Sequence, residues 1–158
     1  PLAAGIENLD VTNAVIGLIP GSIGETSVIA IAIGAIILLW SGIASWKIMA
    51  SVFVGGGLTA ALFHSLGMSD LCACQHFVLG GFCFGAVFMA TDPVTSCRTE
   101  TGKYIYGFMI GVIAIVVRVM NPGYPEGMML AILVMNMFAS TIDSAVVNKN
   151  IAKRLKRK

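Results

Sequence analysis

Two carboxylates in this chain stand beside clusters of hydroxyls, each where an apolar run meets polar sequence. Asp92 lies in "MATDPVTS", with Thr91, Thr95 and Ser96 around it, and Asp143 lies in "ASTIDSAVV", with Ser140, Thr141 and Ser144. Carboxylates, hydroxyls and the carbonyls freed at a helix break are hard oxygen ligands, the donor set that binds Na⁺ or relays protons within a membrane. The same residues also read as caps. Pro93 has no N–H and suits the first turn of a helix, so Asp92 can cap a new helix with its charge in headgroup water.

A second group precedes an apolar run directly. In "GSIGETS" (21–27), Gly21, Ser22, Gly24 and Glu25 sit at a helix start, where backbone N–H groups receive phosphates and other anions. The alternative is a helix cap by Ser22 or Thr26, with Glu25 favouring the helix dipole. A third group is "CACQH". Cys72, Cys74 and His76 are metal-ligand types, but C-x-C-x-H lacks the usual second ligand pair. Cys83 and Cys97 fall on another apolar run and in a loop on the other side. A Cys72–Cys74 disulfide would be strained, so free thiols are expected.

The elements that hold these groups are strongly apolar. Of 158 residues, 57% are hydrophobic and 11% charged, where a soluble domain carries about a quarter charged. Mean hydropathy is +0.89. No Asp, Glu, Lys or Arg interrupts residues 26–46, 48–69 or 71–91. About 20 helical residues cross a hydrocarbon core, so each run is long enough. Two further runs, about 104–120 and 127–146, carry only Arg118 and Asp143. The expected fold is an all-α membrane protein with five transmembrane helices. "VTNAVIGLIP" (11–20) is too short to span and is expected to be a re-entrant half-helix. Gly55-Gly56-Gly57 predicts close approach of another helix, or of a flat ligand. Arg118 and Glu126 flank a rigid outer turn and are expected to pair. Three parts follow: an outer lead with half-helix and Gly-rich loop (1–24), a five-helix membrane domain (25–148) and a basic tail (149–158).

Charge sets the orientation. With five spans, Lys47, Arg98, Lys103 and the tail's Lys149, Lys153, Arg154, Lys156, Arg157 and Lys158 share one side, and only Arg118 lies on the other. The positive-inside rule puts the tail in the cytoplasm and Pro1 outside. Beside a membrane span, "KRLKRK" is expected to meet anionic lipid headgroups and not nucleic acid. The chain opens "PLAAG" without an initiator Met, so a longer protein is expected, and five spans suit one half of a transporter built from paired repeats.

"MATDPVTS", "RVMNPGYPEGMMLAILVMN" and "VVNKNIAKRLKR", with "PGSIGETS" and "GIASWK", closely resemble the C-terminal half of the B subunits of sodium-translocating NADH:quinone oxidoreductases. The resemblance covers nearly all of residues 1–158 and is weakest around 65–75. The D subunits of Rnf complexes share "PGSIGETS" and the TDPVTS and YPEG motifs, while "NPGYPEGMML" and the basic tail fit the quinone-reductase subunits better.

The resemblance implies one half of a urea-transporter-like inverted repeat. It implies a membrane subunit of a respiratory, redox-driven sodium pump of the bacterial inner membrane, with Pro1 on the periplasmic side. Electrons would pass from NADH through covalently bound FMN and riboflavin to quinone, coupled to Na⁺ export, with other subunits of the complex as partners. In the family, FMN is esterified to a threonine of S-G-A-T followed by Pro-Leu. This chain begins Pro-Leu-Ala, so that threonine is expected just before Pro1. Iron–sulfur centres belong to other subunits, so the cysteines need no cluster, although "CACQH" departs from the family pattern. The family's acids at Asp92 and Asp143 are implicated in sodium uptake. Gly21, Ser22, Gly24 and Glu25 are then placed near the flavin. An Rnf-type ferredoxin:NAD oxidoreductase subunit, a passive urea-transporter-like channel and a purely structural subunit are the competing classes; bound flavin separates the redox subunit from the channel, and Asp92 and Asp143 argue against the structural subunit.

Overall fold

A computed structural model describes residues 16–17, 27–68, 73–78, 81–121 and 127–156, and every regular element among them is helical. In chain order these are α1 (Val28–Trp40), α2 (Trp46–Ser65), α3 (Ala73–Val78), α4 (Phe82–Phe84), a π-helical turn (Gly85–Met89), α5 (Glu100–Met120) and α6 (Gly127–Leu155). Apart from Ile16 and Gly17, the expected half-helix at 11–20 lies outside the described residues. So do Gly21, Ser22, Gly24, Glu25, Asp70, Cys72 and Glu126.

Three helices, α2, α5 and α6, are long and apolar enough to cross a membrane. At 1.5 Å per residue they run about 30, 32 and 44 Å. The surplus length of α6 carries the basic segment, which continues as helix to Leu155 without a break. Helix α1 has 13 residues, about 20 Å, against a hydrocarbon core of about 30 Å. Ser27 caps it, its Oγ accepting the Ala30 N–H at 3.3 Å. It ends at Ser41-Gly42, where Gly42 turns left-handed at φ 72°. The first uncharged run is thus divided between a short helix and the turn into α2.

The third uncharged run is not one helix. Gly81 adopts φ 64°, a conformation that interrupts α-helix and suits glycine. The chain resumes as one α-turn and then widens, with Ala90 N–H bonding to Gly85 C=O five residues back. Broken helix is tolerated at membrane depth only when the released carbonyls find donors. Here Arg118 donates to the His76 carbonyl, Cys83 Sγ to the Phe77 carbonyl at 3.2 Å, and the Thr91 hydroxyl to that of Val87. Arg118 was expected opposite Glu126, which lies outside the described residues. The bond described runs to the His76 carbonyl within α3.

Helix α5 is the middle of the packed unit, with α2 on one side and α6 on the other. The α2–α5 crossing is backbone against backbone. A Cβ on Gly111 would strike the Val52 carbonyl and the Gly56 nitrogen, and one on Gly55 would strike the Phe108 carbonyl. Of the three glycines 55–57, then, Gly55 serves helix approach. Gly56 seats the Phe82 ring, which packs with Phe53 and Phe77.

Between α5 and α6 the fully buried Tyr106 donates its hydroxyl to Asn136 Oδ1. Interhelical polar bonds within membranes are worth roughly 0.6–2 kcal/mol. Tyr106→Phe keeps the ring and removes the donor. We expect it to destabilise the full-length protein by about 1 kcal/mol, read as a lower thermal midpoint in detergent with the helical content unchanged.

Candidate functional site

Residues 91–99 join the π-helical turn to α5, and both flagged carboxylates hold this loop. Asp92 opens it. Its Oδ1 accepts the Val94 N–H at 3.3 Å, and its Oδ2 accepts the Thr95 N–H at 3.3 Å and the Thr95 hydroxyl at 2.8 Å. The Asp92 carbonyl takes Ser96 N–H at 3.1 Å, closing one turn. The new helix expected after Asp92-Pro93 does not propagate beyond that turn. The following residues, Cys97 and Arg98, have no regular structure and lead to the next cap, Thr99, which is extended.

Asp143 clamps the other end of the loop. Its Oδ2 accepts the Arg98 N–H at 2.8 Å, and its Oδ1 accepts the Thr99 N–H at 3.1 Å and the Thr99 hydroxyl at 2.6 Å. Thr99 is in turn the N-cap of α5, accepting the Gly102 N–H at 3.2 Å. The hydroxyl beside Asp143 therefore belongs to Thr99, 44 residues away. The sequence neighbours Ser140, Thr141 and Ser144 stand exposed. For Asp92 the neighbour Thr95 does serve, while Thr91 turns to Val87 and Ser96 is buried.

The structure thus brings Asp92 and Asp143 to opposite ends of one nine-residue loop at one end of the bundle. Each carboxylate takes three donors. An ionised carboxylate has about four acceptor positions, so each retains about one. The Thr95 hydroxyl, with the Val94 and Thr95 N–H groups, holds the Asp92 carboxyl below the usual carboxylate range. Its folded-state affinity for a proton is depressed, so the stabilisation it gives is complete above the ordinary range and lost as pH falls through the lowered value. Cys97 is buried beneath the loop and donates to the Ala139 carbonyl at 3.3 Å. Burial first, then the Asp143 carboxylate, pushes its thiol up to about 12, so it stays protonated and unreactive at neutral pH.

At the same end, Glu100 in the first turn of α5 bridges two lysines, Lys103 at 3.0 Å and Lys47 at the start of α2. Sequence patterns alone did not point to this cluster, to Thr99 or to Tyr106. A threonine directly before an acid and an apolar run is a helix-start signal that would have indicated Thr99. Among the described residues no three His, Cys, Asp or Glu side chains gather as a metal-binding group. Cys72 lies outside those residues, while His76 is buried in α3.

Comparison with known proteins gives three results of one kind. Residues 2–152 match the model of the NQR2, RnfD, RnfE family. The chain is 54% identical over 150 residues to the B subunit of a Na(+)-translocating NADH-quinone reductase from Chromohalobacter salexigens. It is 50% and 49% identical to proteins of the same description from Klebsiella pneumoniae and Haemophilus influenzae. Each match covers 92% of this chain and 36% of the relative, so the chain spans about a third of those proteins' length.

Proposed function

The chain belongs to the NQR2, RnfD, RnfE family, and from that premise we propose that it is membrane-embedded sequence from the B subunit of a Na⁺-translocating NADH:quinone reductase. The observation that carries the reading is identity near 50% over 150 residues to proteins of that description. In the intact protein, bound FMN and riboflavin would link NADH oxidation to quinone reduction, coupled to Na⁺ export in concert with the other subunits. The flavins supply the redox chemistry. This chain's residues supply helices, a pocket edge and ion ligands. Gly21, Ser22, Gly24 and Glu25 are the residues assigned to binding the flavin or its phosphate.

Five spans complete this picture, with α1 and the broken α3–α4 segment as the two that are not single long helices. Together they form one half of an inverted repeat like that of urea transporters. The protein lies in the bacterial inner membrane with Pro1 periplasmic. Its basic tail lies in the cytoplasm against anionic lipid, since nine of ten basic residues fall on that side. Asp92 and Asp143 then stand at the cytoplasmic end. Each offers a negative charge, about one open acceptor position and nearby hydroxyls to a Na⁺ entering from that side.

Peptide mapping of the full-length, denatured protein tests the assignment. Covalent flavin should appear on a peptide outside residues 1–158, and on no Ser or Thr within them. Flavin attached within 1–158 would move the cofactor site, and a protein without flavin would favour a passive channel. Activity with ferredoxin in place of quinone would mark the Rnf branch of the family.

A further inference from the structure

We propose that the start of α2 and the first turn of α5 form a binding site for the headgroup phosphate of an anionic phospholipid, seated between Lys47 and Lys103. A cleft of about 300 Å³ is lined by Ser45, Trp46, Lys47, Glu100 and Lys103. A neighbouring cleft of about 330 Å³ shares Ser45 and Lys103 and adds Arg98. In the first cleft two lysines thus face one acid, while Arg98 in the second has the Asp143 carboxylate beside its backbone. Glu100 bridges both ammonium groups, which holds them side by side but neutralises only one of the two charges. The Lys47 ammonium is further steadied 6.0 Å over the ring of Tyr104. A phosphodiester is an anion of the right size and charge for this mouth, and basic pockets between membrane helices are recognised features of headgroup binding.

The surroundings select a lipid over a soluble anion. Trp46, 58% exposed, lines the cleft, and Trp40, 91% exposed, ends α1 two residues before the lining residue Gly42; tryptophans of this kind mark the headgroup level of a bilayer. The turn between them continues into the outward face of α1, where Ile33, Ile36 and Ile37 are exposed. Acyl chains lying on that face would leave their phosphate at the lysines. This site is separate from the basic tail, which begins 46 residues beyond Lys103 at Lys149.

Native mass spectrometry of the full-length protein in its complex tests the site, with phosphatidylglycerol and phosphatidylcholine titrated separately. Each Lys or Arg near a membrane surface contributes on the order of a fivefold gain for anionic lipid. Lys47→Gln with Lys103→Gln should therefore weaken phosphatidylglycerol retention by at least roughly tenfold and leave phosphatidylcholine unchanged. Glu100→Gln removes the competing acid and should strengthen phosphatidylglycerol retention. That opposite sign decides the matter even if the double lysine variant fails to assemble. Lys153→Gln with Arg154→Gln should leave the tightest lipid in place. Equal phosphatidylglycerol retention by wild type and the lysine variant would overturn the proposal, as would equal retention of the two lipids. Displacement by millimolar inorganic phosphate would reduce the cleft to a general anion site and overturn its assignment to lipid. Cross-linking of position 46 to another protein of the complex would do the same, replacing the lipid with a protein contact.

Discussion

Gly111→Val is expected to abolish accumulation of the folded protein in the membrane. Gly111 is where α5 meets α2 with no side chain between them: a Cβ there would fall on the Val52 carbonyl and the Gly56 nitrogen, both backbone atoms that cannot swing aside. Two further glycines, Gly55 and Gly107, repeat the contact along the same crossing. Overpacking usually costs about 1–3 kcal/mol where side chains can adjust. Here whole helices must separate, which forfeits the close packing that drives association in lipid, where apolar burial offers no gain over lipid tails. Gly57→Ala is the matched control. Its Cβ would meet only the Phe77 ring, at 3.4 Å, an ordinary contact. Alanine is also the better helix former by roughly 1 kcal/mol. Membrane-fraction yield and thermal midpoint of both variants check the claim. A Gly111→Val protein that accumulates and melts like wild type would show that the crossing is not as close as described.

The second large effect concerns Asp143. Asp143→Ala is expected to loosen the loop 91–99 and the start of α5, because the Arg98 and Thr99 N–H groups and the Thr99 hydroxyl lose their acceptor together. Leaving donors unsatisfied costs about 1–3 kcal/mol each where water cannot reach them. Asp143→Asn keeps part of that structural role while removing the charge: its amide oxygen still accepts on one side of the clamp, whereas its NH₂ cannot, so the bonds to one of the two oxygens are lost. If the carboxylate handles Na⁺, the sodium concentration giving half-maximal quinone reduction should rise roughly tenfold in Asp143→Asn, equivalent to about 1.4 kcal/mol. Turnover at saturating Na⁺ should be lowered less. Asp92→Asn should shift in the same direction and disturb stability less, since its donors all come from the adjacent turn. An unchanged sodium response in both Asn variants, with Asp143→Ala merely less stable, would leave the pair as loop anchors.

Much of this protein was legible in one dimension. Whether a segment enters a bilayer depends on its own composition and length, so uncharged runs of about 20 residues locate the apolar elements before any contact is known. The two carboxylates were visible for the same reason, as charges at the edges of long apolar runs. Thr95 was one of three hydroxyls marked beside Asp92, and it is the one that bonds, because such a cap reaches only two or three residues along the chain.

Contacts between distant segments were not legible. The partner of Asp143 is Thr99, brought to it when α6 packs against α5, while the closer hydroxyls Ser140, Thr141 and Ser144 are turned outward. The ion cluster at Glu100 needed Lys47 from another helix. The third apolar run reads as a single span by hydropathy. Its break at Gly81 holds because donors from Arg118, Cys83 and Thr91 satisfy the freed carbonyls. Hydropathy counts side chains one segment at a time, so it determined which segments are membrane-compatible. Backbone hydrogen bonding and helix contact are settled between segments, so only the tertiary structure decided where a helix stops, which glycine is indispensable and which hydroxyl meets which acid.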